Sequence, residues 1–191
     1  MNLFLIGFRC TGKTTVGEAL ALRLDWTFVD TDRRVVETAG VSITQMVDAH
    51  GWPFFREQES KALGAVSAGN HQVVATGGGI VLDECNITAM KTSGKVVWLT
   101  ASEKTIQARM LDDEATAGSR PSLTGEELTA EVSSVLSART PLYEKAADYQ
   151  TATDRHSVTA VCDRITAALS LASEVGTRMT TVDGKGSSSR C

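Results

Sequence analysis

Apolar runs alternate along the chain with stretches whose apolar residues recur at helical spacing. Short runs of apolar and β-branched residues that end at polar or glycine-rich segments predict buried strands. Five strands are predicted in this way, over residues 2–6, 27–30, 71–75, 95–99 and 148–151.

The segments between these runs are predicted to be helical. Apolar residues fall on one face in three segments, which contain Val16, Leu20, Ala21 and Leu24, then Leu128, Val132, Val135 and Leu136, and finally Val158, Val161, Ile165 and Leu169. Residues 33–68 are predicted to form helices in short pieces, with Ser42 as a helix N-cap. A break is expected at residues 51–53, where a glycine and a proline flank Trp52.

Residues 7–15, with the sequence GFRCTGKTT, lie between the first strand and the first helix. They fit G-x-x-x-x-G-K-[ST], the pattern of a phosphate-binding loop, in which backbone N–H groups and a helix dipole point at one anion. Lys13 is expected to reach the β- and γ-phosphates of a nucleotide, and the Thr14 hydroxyl is expected to bind Mg²⁺. The alternative is a chance match on an ordinary strand–turn–helix. The loop alone does not indicate what receives the phosphate.

Asp30 and Asp32 follow the second predicted strand. In an extended segment, residues two apart point the same way, so both carboxylates are expected to face the mouth at the carboxyl ends of the strands. There they would hold Mg²⁺ through water and accept a hydrogen bond from a substrate hydroxyl. The alternative is a solvated turn with helix-capping aspartates.

Arg56 and the three glycines at 77–79 are further candidates. Arg56 lies beside two phenylalanines near a helix start, and its fork of donors suits a carboxylate. The favoured alternative is a surface arginine paired with Glu59, three residues further along the helix. The glycines directly follow a strand, where they permit close approach of backbone N–H groups to a ligand, unless they form a plain flexible turn.

Residues 111–125 are polar, contain glycines and carry Arg120 beside a proline. This composition predicts a lid that would close over the site and bring Arg120 to the phosphates. A disordered surface loop is the competing interpretation. From residue 174 to residue 191 the apolar periodicity stops, so this segment is predicted to be a mobile tail.

Composition limits the classes of function. The 191 residues suffice for one domain, and the net charge of −4 argues against nonspecific binding of nucleic acid or membrane surfaces. Cys10, Cys85, Cys162 and Cys191 are scattered, as are the histidines, so no zinc spacing exists and reduced thiols are expected. Neither a signal peptide nor a membrane span is predicted, which favours a soluble cytoplasmic protein. A monomer is expected because no long heptad pattern stands out.

Taken together, these segments resemble the shikimate kinases over residues 2–170. The resemblance rests on six pieces in the order of the family, which are the phosphate-binding loop, FVDTD at 28–32, GWPFFREQE at 51–59, ATGGG at 75–79, Arg120-Pro121, and Arg139 followed by Tyr143. It implies a three-layer α/β/α P-loop fold with a five-stranded parallel sheet. Residues 1–173 would form this single domain, with a helical substrate-binding insert at 31–60 and the lid at 111–125.

The resemblance also implies the reaction, in which the γ-phosphoryl of ATP moves to the 3-hydroxyl of shikimate. The catalytic residues would be Lys13, Asp32 and Arg120, and Thr14 and Asp30 would serve Mg²⁺. Shikimate would be held by Asp32, Arg56, Gly77, Gly78, Gly79 and Arg139. ATP would be held by Cys10, Thr11, Gly12, Lys13, Thr14, Thr15, Arg109, Arg120 and Arg155.

One residue departs from the family pattern within the phosphate-binding loop. Cys10 stands where the family usually has a glycine, so a positive φ at this position would cost about 1–2 kcal/mol. The adenine-side loop also differs, because Asp154, Arg155 and His156 stand where a proline is common. The alternative functions are those of another small-molecule kinase of the same fold, such as a gluconate kinase, and of a non-catalytic nucleotide sensor. The sensor is favoured only by Cys10, since Lys13, Asp32 and Arg120 are all present.

Overall fold

The computed structural model describes residues 1–112 and 128–170 of the chain. Its strands are β1 (Asn2–Ile6), β2 (Thr27–Asp30), β3 (Gln72–Ala75), β4 (Gly94–Thr100) and β5 (Tyr149–Ala152). They form one parallel sheet in the order β2-β3-β1-β4-β5. The five predicted strands are confirmed, with bounds that differ by one residue at a few ends.

Helices fill most of the chain between the strands. Within the described residues they are α1 (Lys13–Leu24), α2 (Thr31–Ala39), α3 (Ile43–Ser67), α4 (Glu84–Ser93), α5 (Glu103–Asp112), α6 (Leu128–Ala146) and α7 (Val158–Ala168), and a 3₁₀ turn spans Ile80–Leu82. Most of the predicted lid and the whole of the predicted tail lie outside the described residues. No described helix is both long enough and apolar enough to cross a membrane.

Alternate residues of the central strands supply two apolar layers. On one face of the sheet, Phe4 and Val96 pack in a cluster that includes Leu63 of α3 and Met90 of α4. On the other face, Leu5, Val97 and other strand residues pack with side chains of α1 and α7. Because β1 is the central strand, its side chains are fully buried on both faces. The fold is therefore a three-layer α/β/α sandwich, as expected.

The segment between β2 and β3 is helical, as predicted. Ser42 and Gln45 form a capping box at the start of α3, in which each side chain accepts a hydrogen bond from the other residue's backbone N–H, at 3.1 and 2.9 Å. Gly51 has φ 79° and ψ 169°, so the helix is interrupted there before it continues through Pro53. The predicted break is thus confirmed.

The sheet register brings three chain segments to one edge. Leu5 and Asp30 both pair with Ala75, so β1, β2 and β3 end level with each other. The loop after β1, the start of α2 and the glycines after β3 therefore meet at the carboxyl ends of the strands. This edge is where ligands bind in open parallel sheets.

Candidate active site

The loop after β1 is a compact turn closed by side chains of its own sequence. Gly7 has φ 139°, and a Cβ on it would lie 2.4 Å from the Leu99 carbonyl oxygen, so only glycine fits. Lys13 Nζ donates hydrogen bonds to the Gly7 and Phe8 carbonyl oxygens at 2.9 and 2.7 Å. Lys13 is only 8% exposed, at the N-terminus of α1. A buried ammonium and the positive end of a helix dipole together favour a bound anion.

Cys10 adopts a left-handed backbone conformation, which its sequence position alone does not determine. Its φ is 59°, in the left-handed region that favours glycine. Its carbonyl oxygen accepts a hydrogen bond from Arg109 at 3.0 Å. The loop therefore keeps the shape that glycine usually provides, with a strained cysteine at this position.

We expect Cys10→Gly to raise the free energy of unfolding by about 1 kcal/mol, because relief of the left-handed strain exceeds the entropy that glycine loses on folding. Cys10→Ala is the matched control, because it removes the thiol and keeps the strain. Urea unfolding of both variants measures the difference. Equal stability of the glycine and alanine variants would contradict a strained loop.

A cleft of about 1240 Å³ opens above this loop, and we name it the nucleotide cleft. The residues predicted for ATP or Mg²⁺ that line it are Cys10, Gly12, Lys13, Thr14, Thr15, Asp30 and Arg109. Thr11 instead lies buried beneath the loop, where its hydroxyl donates to the Phe8 carbonyl oxygen at 2.8 Å. Arg155 is exposed and does not line the cleft, whereas its neighbour His156 does. Arg109 also donates to Thr153, which fixes the far wall of the cleft to α5.

Asp30 and Asp32 reach the site by a different route from the one predicted. Only Asp30 is extended (φ −110°, ψ 119°), whereas Asp32 lies in the first turn of α2, so the prediction of two carboxylates on one extended segment is wrong. Helix α2 begins directly after β2, and Asp30 caps it by accepting from the Asp32 and Arg33 backbone N–H groups at 3.0 and 3.2 Å. The other oxygen of Asp30 accepts from the Thr14 hydroxyl at 3.1 Å. The capping alternative therefore holds for Asp30, which also joins β2 to the phosphate-binding loop.

A second cleft, of about 440 Å³, adjoins the first, and we name it the acceptor cleft. It is lined by Phe8, Arg9, Asp32, Ile43, Trp52, Phe55, Arg56, Glu59, Gly77, Gly78, Gly79 and Arg139. Asp32 lines both clefts and is only 9% exposed. The two clefts therefore meet at this carboxylate.

Arg56 combines the two interpretations of its sequence. Its guanidinium donates to Glu59 at 2.6 Å, so the predicted pair within the helix exists. The pair is not on the surface, because Glu59 is fully buried and Arg56 lines the acceptor cleft. The guanidinium also lies about 5 Å from the ring centroids of Trp52 and Phe55. Arg56 is thus held rigidly with part of its donor fork directed to Glu59.

Glu59 is a cleft residue that was not predicted as a site residue. Its Oε1 is buried without a hydrogen-bond partner among the described residues. Burial raises the pKa of this carboxyl above its ordinary value, and the Asp32 carboxylate adds to the rise, while Arg56 and Arg139 oppose it. Its spacing from Arg56 was the only signal in the sequence, because the burial comes from segments distant along the chain.

We expect the stability difference between the wild type and Glu59→Gln to depend on pH. Because the pKa of Glu59 is raised by folding, its stabilising contribution is complete below the ordinary value of 4.5 and is lost as pH rises through the folded value. The free energy of unfolding of the wild type should therefore fall relative to that of Glu59→Gln as pH rises. Urea unfolding of both proteins between about pH 5 and pH 8 measures this. A wild-type free energy of unfolding that stays constant or rises relative to that of Glu59→Gln as pH rises would contradict the assignment.

Gly77, Gly78 and Gly79, which we call the glycine loop, are fixed by hydrogen bonds on two sides. The Gly77 N–H donates to the Thr31 hydroxyl at 3.1 Å. The Gly78 carbonyl oxygen accepts from Arg139 at 3.1 Å and from the Tyr143 hydroxyl at 2.5 Å. A Cβ on Gly77 would lie 2.0 Å from Glu59 Oε1 and 2.7 Å from Asp32 Oδ1. The loop is therefore a tightly held wall of the acceptor cleft and not a flexible turn.

We expect Gly77→Ala to reduce turnover by about a hundredfold, because the new methyl group must displace the carboxylates of Glu59 and Asp32. Gly64→Ala is the matched control, since a Cβ there meets no atom within 4 Å. Steady-state turnover of both variants measures the effect. Equal turnover by both variants would show that the glycine loop does not shape the site.

Arg139 lies on α6 and is 9% exposed, and it lines the acceptor cleft together with Arg56. Arg9 lines the same cleft and pairs with Glu131, which is buried on α6. The cleft is thus bordered by three guanidinium groups and by two carboxylates, Asp32 and Glu59. Apolar rings of Phe8, Trp52 and Phe55 complete its wall. This setting suits a small ring with one carboxylate and several hydroxyl groups.

Arg120, the remaining predicted site residue, lies outside the described residues.

Comparisons with known proteins agree with this geometry. A family model described as shikimate kinase matches residues 9–170. The chain belongs to the shikimate kinase family. It is therefore an ATP-dependent kinase that acts on a hydroxyl group of shikimate. The match covers the phosphate-binding loop from Arg9 onward, α7 and, except for Phe8, every residue that lines the two clefts.

Curated relatives and solved structures give the same family. The chain is 42% identical over 172 residues to a shikimate kinase of Syntrophus aciditrophicus, covering 86% of this chain and 88% of the relative. It is 45% identical over 148 residues to shikimate kinase 2 of Syntrophotalea carbinolica, covering 78% and 85% of the two chains. A solved shikimate kinase from Acinetobacter baumannii in complex with shikimate superposes with a TM-score of 0.82 at 30% identity, covering 88% of this chain and 93% of that one. These matches favour the shikimate kinases over the gluconate kinase alternative.

Proposed function

We propose that the enzyme transfers the γ-phosphoryl of ATP to the 3-hydroxyl of shikimate, with ATP in the nucleotide cleft and shikimate in the acceptor cleft. The observation that carries this proposal is the position of Asp32, which lines both clefts where they meet. A group at this junction contacts the acceptor hydroxyl and the transferred phosphoryl together.

On the nucleotide side, the ammonium of Lys13 and the backbone N–H groups at the start of α1 bind the phosphates. Arg109 borders the adenosine from α5, and Arg120 is assigned to the phosphates from the predicted lid. The Thr14 hydroxyl and the Asp30 carboxylate, whose oxygens lie 3.1 Å apart, would hold Mg²⁺. Such hard oxygen groups fit this ion, which takes its other ligands from substrate phosphates and water. The chemistry that a bound Mg²⁺ supplies is neutralisation of charge on the phosphate oxygens.

On the acceptor side, Arg56 and Arg139 bind the carboxylate of shikimate as charged hydrogen-bond donors. Within the glycine loop, Gly78 and Gly79 supply backbone N–H groups, because the Gly77 N–H already donates to Thr31. Asp32 accepts the hydrogen bond of the reacting hydroxyl. Phosphoryl transfer passes through a loose transition state, so alignment matters more than base strength. Asp32 therefore acts chiefly by orienting the 3-hydroxyl, and it takes the proton as the new O–P bond forms and the bond from the γ-phosphorus to its bridging oxygen breaks, which releases ADP. Lys13 and Arg120 stabilise the charge that spreads over the γ-oxygens.

The remaining assignments concern the protein in the cell. The enzyme acts in the cytoplasm as a monomer, with small-molecule substrates and without nucleic-acid or membrane partners. Its net charge of −4 supports the absence of a general polyanion-binding role.

Phosphorus-coupled NMR of the product tests the position of transfer. The purified enzyme is incubated with ATP, Mg²⁺ and shikimate, and the proton that couples to the new phosphorus nucleus is identified. Coupling to the proton on carbon 3 is expected. Coupling at carbon 4 or carbon 5 would contradict the placement of the 3-hydroxyl at Asp32 while leaving the kinase activity intact.

A further inference from the structure

Tyr143 is a buried polar residue to which the proposed mechanism gives no role. It lies one helical turn after Arg139 on α6 and is fully buried. Its ring stacks on Trp98 with centroids 5.6 Å apart and an interplanar angle of 24°. Its hydroxyl donates to the Gly78 carbonyl oxygen at 2.5 Å. The side chain thus spans from the sheet to the glycine loop.

The same carbonyl oxygen is the acceptor for Arg139. The Arg139 guanidinium donates to it at 3.1 Å. Gly78 also lies close to the phosphate-binding loop, because a Cβ on it would be 3.3 Å from the Gly7 carbonyl oxygen. Lys13 donates to that Gly7 oxygen. Gly78 therefore lines the acceptor cleft next to the phosphate-binding loop, and two donors converge on its carbonyl oxygen.

A guanidinium that binds a substrate carboxylate with two parallel N–H groups must adopt a fixed orientation. If Arg139 turns to a carboxylate, its bond to Gly78 is lost or weakened. A buried carbonyl without a donor is costly, so this cost would oppose substrate binding. Tyr143 provides a second donor that does not move, because its ring is fixed in the core.

We infer that Tyr143 is a positioning residue for the acceptor: it keeps the Gly78 carbonyl hydrogen-bonded, so that the Arg139 guanidinium can turn to the carboxylate of shikimate. This inference rests on the proposed role of the acceptor cleft. Burial raises the pKa of Tyr143 to about 12, so its hydroxyl remains a donor at neutral pH.

The test is Tyr143→Phe, which removes the hydroxyl and keeps the stacked ring. We expect the KM for shikimate to rise about tenfold while the KM for ATP changes by less than about twofold. Tyr149→Phe is the matched control, because Tyr149 lies in β5, away from both clefts. It should leave both constants unchanged.

A double-mutant cycle with Arg139→Ala distinguishes positioning from a general structural role. Without Arg139, no guanidinium leaves Gly78 on binding, so Tyr143→Phe should change the KM for shikimate by less than about twofold in that background. The same factor in both backgrounds, an equal rise in the KM for ATP, or loss of cooperative unfolding in Tyr143→Phe would overturn the inference. Absence of shikimate-dependent ADP release by the wild type would instead contradict the proposed function.

Discussion

Replacing Lys13 with methionine is expected to lower kcat/KM by about a thousandfold or more, because it removes the buried cation from the nucleotide cleft. The ammonium lies among loop carbonyls and the positive end of α1, where little water screens it. Methionine matches the length of the lysine stem, so the packing changes little. Steady-state ADP release in the presence of shikimate measures the loss.

Lys95→Met provides the control for this change. Lys95 is exposed at the start of β4, at the amino ends of the strands, whereas the phosphate-binding loop lies at their carboxyl ends. The Lys95→Met variant should keep nearly full activity. Thermal unfolding of Lys13→Met should remain cooperative, although the Gly7 and Phe8 carbonyl oxygens lose a donor. Undiminished turnover by Lys13→Met would contradict the phosphate role.

Replacing Arg139 with alanine is expected to raise the KM for shikimate by about a hundredfold, because a desolvated charged hydrogen-bond pair is lost. The KM for ATP should change by less than about threefold, since Arg139 lines only the acceptor cleft of the two. Initial rates with each substrate varied in turn measure both constants.

Arg34→Ala is the control for Arg139→Ala, because Arg34 is exposed on α2. It should leave both constants within about twofold of the wild type. Equal losses for shikimate and ATP in Arg139→Ala would place this arginine outside the acceptor site.

The strands and the phosphate-binding loop were predictable because local patterns determine them. The apolar run at residues 2–6 is buried on both faces in the centre of a parallel sheet, so its pattern is unambiguous. Gly7 and Gly12, the two glycines that the loop pattern requires, both have positive φ. The sequence predicted only what a positive φ at Cys10 would cost, because the presence of a cysteine does not reveal its backbone angle.

The errors arose where one element begins directly after another. Asp32 was assigned to an extended segment, but Asp30 caps α2 at the last residue of β2, with no loop between them. The sequence also allowed these aspartates to be helix caps, but the strand pattern that ends at Asp30 favoured an extended segment. The position of Asp32 at the site is therefore due to the helix start and not to strand alternation.

The burial of Arg56 and Glu59 could not be predicted from their helix alone. Their pairing is local, so the spacing indicated it. Their environment is built by the glycine loop and by Arg139, which lie about 20 and 80 residues further along the chain. For the same reason no role for Tyr143 could be predicted, because its partner Gly78 is 65 residues away.

A coupled assay of ADP release most directly tests the central claim that this chain phosphorylates shikimate. The enzyme is given ATP and Mg²⁺ with shikimate, gluconate or quinate, and ATP binding is measured in parallel. ADP release that depends on shikimate and not on the other two acids is the predicted result, and it would make Cys10 a tolerated substitution in the phosphate-binding loop. Measurable ATP binding without turnover of any acceptor would contradict the account and indicate a nucleotide sensor.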